Sequence, residues 1–99
     1  MTLKERFFQI VEKEKSKVQK EFGVHRLGIF GSCAEGKETE SSDVDVLVEF
    51  DKKTFDNYMD LKYYLEELFD RKVDVVIFNS IKPSMKPSVM RSVKYAKGA

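Results

Sequence analysis

Two acidic residues stand at the beginning of an aliphatic stretch in the middle of the chain. Asp43 and Asp45 alternate with valine in the sequence DVDVLVEF, residues 43–50. Residues two apart on a strand point to the same side, about 6.5 Å apart along the backbone, so both carboxylates can reach one divalent ion or share two. Mg²⁺ is commonly held by carboxylates together with phosphate oxygens of a substrate. The spacing therefore predicts a site for magnesium and a nucleoside triphosphate.

A third acid stands at a similar place in a second β-branched run. Asp74 is near the beginning of VDVVIF, residues 73–78, and a segment with helical spacing separates the two runs. A strand, a helix and a second strand form a crossover unit, which makes the strands parallel and puts their N-terminal ends at one sheet edge. Asp74 is therefore expected beside Asp43 and Asp45. There it would bind a second metal ion or accept the proton of an attacking hydroxyl.

A Gly-Ser pair supplies the other half of the predicted site. Gly31 and Ser32 follow the short apolar run RLGIF, residues 26–30. Glycine lets a phosphate approach the backbone, serine offers a hydroxyl and an amide, and a helix beginning there would favour an anion. No lysine follows as in a Walker A loop, so metal is expected to neutralise most of the phosphate charge. Ser42 is a further candidate for nucleotide binding, with a role in shaping the turn before the strand as its alternative.

The remaining pattern predicts the elements that position these side chains. Thr2 and Glu5 form a capping-box pattern before an amphipathic helix, and Gly23 is placed to end it. His25 is expected in a solvated loop. We expect Tyr58, Tyr63 and Tyr64 to cap the core or its rim. The predicted elements are a helix over 2–22, a strand over 26–30, a short helical piece or loop over 33–41, a strand over 43–50, a helix over 54–70, a strand over 73–78, a short helix after Pro83 or Pro87 and a small strand over 93–96.

Length and composition limit the class of protein. A chain of 99 residues without a linker suits one domain, residues 1–99, of the α/β (α+β) class with a small mixed sheet flanked by helices. Lys and Arg number 18 against 17 Asp and Glu, so no bulk charge favours direct nucleic-acid or membrane binding. The single cysteine and the absence of a long apolar stretch favour the cytoplasm.

The motifs together resemble those of a known family. Residues 30–48 read FGS, ten residues and then DVDVLV, which is similar to the signature of the minimal nucleotidyltransferases in the DNA polymerase beta superfamily. The order of the predicted elements, including the strand RKVDVVI, also resembles that family over the whole chain. These small enzymes are partners of HEPN-domain proteins in prokaryotic toxin–antitoxin pairs, where they act as antitoxins.

The resemblance implies an activity and a role for each motif residue. Gly31 and Ser32 would bind the triphosphate of ATP, and the acids Asp43, Asp45 and Asp74 would hold two Mg²⁺ ions and carry the catalysis. The implied reaction transfers AMP from ATP to a hydroxyl, a tyrosine of the HEPN ribonuclease in the antitoxin members, and releases pyrophosphate.

One region departs from the family pattern and keeps alternatives open. Many relatives have arginine at the positions of Cys33 and Glu35, and an arginine could hold phosphate charge whereas a glutamate facing the site would repel it. A catalytically weak or inactive subunit that neutralises a HEPN partner by binding is therefore the alternative. A small-molecule nucleotidyltransferase is disfavoured, because no segment is long enough to form the second half of its pocket.

Overall fold

The structure of the chain, a computed structural model, describes residues 1–96 as a mixed sheet with helices packed on both faces. Along the chain the elements are α1 (Leu3–Phe22), β1 (Val24–Phe30), α2 (Gly31–Glu35), β2 (Val44–Phe50), α3 (Phe55–Phe69), β3 (Val73–Ile77), a 3-10 turn (Phe78–Ser80), α4 (Lys86–Ser92) and β4 (Lys94–Tyr95). None of the helices described over residues 1–96 is long and apolar enough to cross a bilayer.

The sheet has four strands in the order β3-β2-β1-β4. The β2 and β3 strands are parallel, as the crossover predicted, whereas β1 runs antiparallel to both β2 and β4. The predicted α+β class with a small mixed sheet is therefore confirmed. The register places Asp45 opposite Asp74 on one side and opposite Phe30 on the other. The beginnings of β2 and β3 and the end of β1 thus meet at one sheet edge.

Helix α1 covers one face of the sheet. Its capping box is formed, since the Thr2 side chain accepts the Glu5 N–H and the Glu5 side chain accepts the Thr2 N–H. Gly23 ends the helix in the left-handed conformation with φ 65°. The helix buries its apolar face, which includes Phe7 and Val11, against the same core as α3. Burial of side chains of this size contributes about 1.5–3 kcal/mol each.

Helix α3 packs beside α1 and also protects the outer edge of β3. Its side chains Leu61 and Leu65 are buried in the core. The Val73 N–H donates to the Glu66 carboxylate at 3.1 Å, and the Tyr58 hydroxyl donates to the Val75 carbonyl at 3.2 Å. Edge groups of this kind are otherwise open to pairing with another chain. The contacts therefore fix the strand that carries Asp74.

The opposite face of the sheet is covered by α4. Phe30, Leu47 and Val89 form a second buried cluster there. Leu47 lies on the same side of β2 as Asp45, because side chains two apart share a face. The predicted helix after Pro83 or Pro87 is confirmed as α4, with Pro87 in its first turn, where a missing N–H costs no helical hydrogen bond.

Several predicted boundaries were wrong by a few residues. Strand β1 begins at Val24, two residues earlier than expected, and its pairing with β2 shifts between Val24 and Arg26. This irregularity includes His25, which was expected in a loop and instead lies exposed in the strand, with its Nδ1 3.3 Å from the Asp51 carboxylate. The β3 strand ends at Ile77, one residue earlier than expected, and the 3-10 turn begins at Phe78.

Removal of the Tyr58 hydroxyl tests the protection of the β3 edge. Tyr58→Phe leaves the Val75 carbonyl without this donor and is expected to lower the free energy of unfolding by about 1 kcal/mol. Tyr63→Phe is the matched control, because Tyr63 is exposed on the same helix and should change stability by less than about 0.5 kcal/mol. Urea denaturation measures both, and equal midpoints for the two variants would contradict the contact.

Candidate active site

Two of the predicted acids face each other across a parallel strand pair. Asp45 on β2 lies in register with Asp74 on β3, and Asp43 directly precedes β2. The ladder between the strands begins beside them, where the Val44 N–H donates to the Lys72 carbonyl at 2.9 Å. Asp43 and Asp74 are exposed, whereas Asp45 is partly buried. The sheet therefore brings all three acids to the edge that the sequence predicted.

The electrostatics of this edge are unfavourable without a cation. Burial, and then the negative charges of Asp74 and Asp43, raise the pKa of the Asp45 carboxyl from 3.8 to about 6. A positive ion between the carboxylates would relieve this repulsion. Within residues 1–96, however, no three His, Cys, Asp or Glu side chains are arranged as a ready-made metal site. The chemistry of the donor set, three carboxylates of which two are exposed, fits Mg²⁺.

Gly31 contacts the partly buried acid directly. Its φ is +71°, and a Cβ built on it would lie 2.6 Å from the Asp45 Oδ2 atom. Glycine is needed here for the backbone conformation and also for space. The Gly31 N–H donates to the Ser92 hydroxyl oxygen at 3.0 Å, so this amide is already occupied. Ser32, the other member of the pair, is half-buried in the first turn of α2.

The loop that leads to Asp43 is held by a residue that the sequence reasoning missed. One Arg71 nitrogen, Nη1, donates to the carbonyls of Thr39 and Ser42, at 2.9 Å in each case. Arginine can hold two acceptors because its donors form a rigid fork. Its position directly before the β3 run was the available signal. Arg71 thus links the beginning of one acidic strand to the loop before the other.

Ser42 has the turn-shaping role that was weighed for it. Its hydroxyl accepts the Thr39 N–H at 2.9 Å, and its own N–H donates to the Thr39 carbonyl at 3.1 Å. This reciprocal pair closes the turn before Asp43. Nothing in the geometry favours nucleotide binding by Ser42, and that role stays a prediction.

The two departures from the family pattern lie in different surroundings. Cys33 is fully buried, and its thiol donates to the Asp43 carbonyl at 3.3 Å. Burial raises the pKa of this thiol, which keeps it protonated and able to donate. Glu35 is exposed and forms an ion pair with Lys37 at 3.2 Å. The thiol therefore supports the acidic strand, and the glutamate charge is met by a neighbouring lysine.

The sheet is small and mixed, helices flank it, and two of its strands begin with acids beside a Gly-Ser turn that starts a helix. This combination is typical of a nucleotidyltransferase. Comparison with known proteins agrees with this class. Residues 11–96 match the model of the nucleotidyltransferase domain. The chain belongs to this family.

Relatives and solved structures cover nearly the whole chain. The protein adenylyltransferase MntA of Thermococcus cleftensis is 37% identical over 87 residues, which are 87% of this chain and 88% of that protein. A solved structure assigned as a minimal nucleotidyltransferase superposes with a TM-score of 0.71 at 30% identity and covers 95% of both chains. A chain from a Shewanella oneidensis complex, a tri-AMPylated HEPN toxin with an MNT antitoxin, superposes with a TM-score of 0.64 over 93% of this chain and 73% of that one. The last is 20% identical and shows the fold alone.

Two glycines with the same left-handed backbone conformation provide a matched test of the Gly31–Asp45 contact. Gly36 has φ +73°, close to that of Gly31, but no atom lies within 4 Å of a Cβ built on it. Gly36→Ala should therefore cost only the strain of a left-handed alanine, about 1–2 kcal/mol of unfolding free energy. Gly31→Ala should cost a further ~1–3 kcal/mol because its Cβ overlaps the carboxylate. Thermal unfolding compares them, and equal losses would show that the contact is unimportant.

The raised pKa of Asp45 predicts a pH-dependent gain in stability on Asp45→Asn. The pKa of Asp45 is higher in the folded state than in the unfolded state. Below about pH 4 the carboxyl is protonated in both states and does not lower the free energy of unfolding, and its destabilising effect is complete only above the folded-state pKa of about 6. The shift corresponds to about 3 kcal/mol, which solvent screening of a half-buried group reduces to about 1 kcal/mol. In the absence of divalent cations, Asp45→Asn should therefore be about 1 kcal/mol more stable at pH 7.5 and no more stable at pH 4.

Denaturation of both proteins across this pH range provides the measurement. Asp60→Asn, at an exposed acid of α3, serves as the control and should change stability by less than about 0.5 kcal/mol at either pH. A gain for Asp45→Asn that is the same at both pH values would contradict the origin assigned to it.

Proposed function

We propose that this chain is a magnesium-dependent protein adenylyltransferase. It transfers AMP from ATP to a tyrosine hydroxyl of a HEPN-domain ribonuclease and acts in the cytoplasm as the antitoxin of that protein. The observation that carries the proposal is the placement of Asp45 between Asp74 and Gly31, with Asp43 directly before the strand. The similarity to a protein adenylyltransferase supports the reaction type, and the fold shared with toxin–antitoxin complexes, one of them crystallised with AMP-PNP, supports the partner and the nucleotide.

Each acidic residue has a role that follows from its exposure. Asp45 is partly buried and lies within β2, opposite Asp74 on β3. The sheet therefore fixes its position, and it serves as the central metal ligand. Asp43 is exposed and joins Asp45 in the oxygen ligand set for Mg²⁺, whereas the Asp74 carboxylate, also exposed, is left to accept a proton. When bound, magnesium neutralises triphosphate charge and favours ionisation of the attacking hydroxyl. Ser32, beside Asp45 through Gly31, would donate to the phosphates.

The reaction is a displacement at the α-phosphorus of ATP. The tyrosine oxygen forms the new bond to phosphorus while the bond to the bridging α–β oxygen breaks, and pyrophosphate leaves. The hydroxyl proton passes to the Asp74 carboxylate, which is exposed to an incoming acceptor. The protein contributes the positions of these groups and the exposed edge at which another protein can present its side chain.

The alternative is a subunit that neutralises its partner by binding alone. It was favoured by Glu35, which would repel phosphate if it faced the site. The observed ion pair with Lys37 meets that charge locally and weakens this reason. The enzyme is therefore the better supported of the two functions.

Intact mass spectrometry separates the two functions. The purified chain is incubated with a HEPN-domain ribonuclease from the same genome, ATP and Mg²⁺. We expect the ribonuclease to gain the mass of one or more AMP groups and to lose its activity. Asp43→Asn and Asp45→Asn should abolish the gain because each removes a metal ligand.

Asp51→Asn is the matched control for these substitutions. It removes an exposed acid just beyond the other end of β2, where Asp51 pairs with His25, and it should leave the transfer unchanged. Chelation of Mg²⁺ should stop the transfer by the unmodified chain. Loss of ribonuclease activity without any gain in mass would overturn the enzyme and favour the binding subunit.

A further inference from the structure

Helix α4 places a buried hydroxyl against the backbone of Gly31. Among residues 1–96, Ser92 is the only polar or charged residue that is buried, with 7% of its surface exposed. Its Oγ accepts the Gly31 N–H at 3.0 Å, across 61 residues of sequence. Its hydroxyl hydrogen is directed at the carbonyls of Ser88 and Val89, at 3.3 and 3.4 Å. Donation within α4 therefore leaves the oxygen lone pairs directed at Gly31.

This contact replaces a cap that the local sequence does not provide. The first N–H groups of a helix have no partner inside the helix and are usually satisfied by the side chain at the N-cap. The residue at the N-cap of α2 is Phe30, which forms no such hydrogen bond. Ser92 satisfies the Gly31 amide from another helix, at the residue whose backbone lies against the Asp45 carboxylate.

We propose that Ser92 is a positioning residue for nucleotidyl transfer. By fixing the Gly31 amide, its hydroxyl holds the Gly31-Ser32 backbone against Asp45, where these residues would bind a triphosphate. This role rests on the proposed function, because it concerns the same site. Ser92 itself touches neither nucleotide nor metal and acts through Gly31.

The packing of α4 shows how this role separates from a purely structural one. The helix is anchored on the sheet by Val89, which is buried with Phe30 and Leu47. These apolar contacts do not depend on the Ser92 hydroxyl, so its removal should leave α4 in place. A change at Val89 should instead weaken the packing and leave the Gly31 hydrogen bond intact.

Three variants of the 99-residue chain test the proposal. Ser92→Ala removes the hydroxyl, Ser92→Thr keeps it, and Val89→Ala weakens the packing of the same helix. The readouts are KM and kcat for ATP in the transfer to the HEPN protein, Mg²⁺-ATP affinity by calorimetry, and the melting temperature. We expect Ser92→Ala to weaken Mg²⁺-ATP binding and to raise KM by about tenfold, the factor expected for one lost hydrogen bond to a positioned amide.

The control variants decide between positioning and stability. Ser92→Thr should restore KM to within about twofold of the unmodified chain, because a threonine hydroxyl can make the same contacts. Val89→Ala should lower the melting temperature at least as much as Ser92→Ala does, with KM unchanged. An unchanged KM for Ser92→Ala, or an equal rise in KM for Val89→Ala, would overturn the positioning role.

Failure of the proposed function would be seen separately. If the unmodified chain binds Mg²⁺-ATP but modifies no protein, the transfer proposal fails and the affinities of the variants still test Ser92. If the unmodified chain binds no Mg²⁺-ATP, both proposals are overturned. Amide exchange of Gly31 by NMR gives an independent check, because Ser92→Ala should speed it by about tenfold and Ser92→Thr should not.

Discussion

Mutual repulsion of acidic side chains at one sheet edge is the constraint on which the rest of the structure depends. Strand pairing puts Asp45 opposite Asp74, and partial burial makes the charged form of Asp45 still less favourable. The register cannot relax to separate them, because a slip by one residue would turn the apolar side chains of β2 away from the core. Val44 and Val46, on either side of Asp45, are both fully buried. Their packing therefore fixes the Asp45 carboxylate in an environment that is electrostatically unfavourable in the absence of a cation.

The groups that support this edge come from distant parts of the chain. Arg71 fixes the loop before Asp43, the thiol of Cys33 donates to the Asp43 carbonyl, and Ser92 fixes Gly31. Arg71 and Cys33 donate to backbone carbonyls, Ser92 accepts a backbone N–H, and none of these hydrogen bonds involves an acidic side chain. The carboxylate oxygens therefore remain open to cations, while the backbone that carries them is held. Under the proposed function, such support would reduce the reorganisation that substrate binding requires.

The elements that carry the acids could be predicted from local sequence. The contacts between distant segments could not, because they depend on how the elements pack. The capping box at Thr2, the alternation around Asp45 and the crossover to Asp74 follow from short-range periodicity, and the structure confirms them. The irregularity at His25 depends on which residues of another strand lie opposite, and the Ser92 contact depends on how α4 lies on the sheet. Both are tertiary facts without a local pattern. The metal and nucleotide roles of the acids, Gly31, Ser32 and Ser42 remain predictions.

The different exposures of the three acids explain how such a small sheet can hold a charged site. A fully buried triad would make folding much less favourable, since isolated buried charges cost several kcal/mol each. Here only Asp45 is partly buried, and Asp43 and Asp74 keep their contact with water. The chain can therefore fold without a bound metal, and the carboxyl whose pKa is clearly raised at this site is that of Asp45. Under the proposed function, the exposed Asp43 carboxylate would join Asp45, whose backbone is fixed by the sheet, around an ion that arrives with its nucleotide.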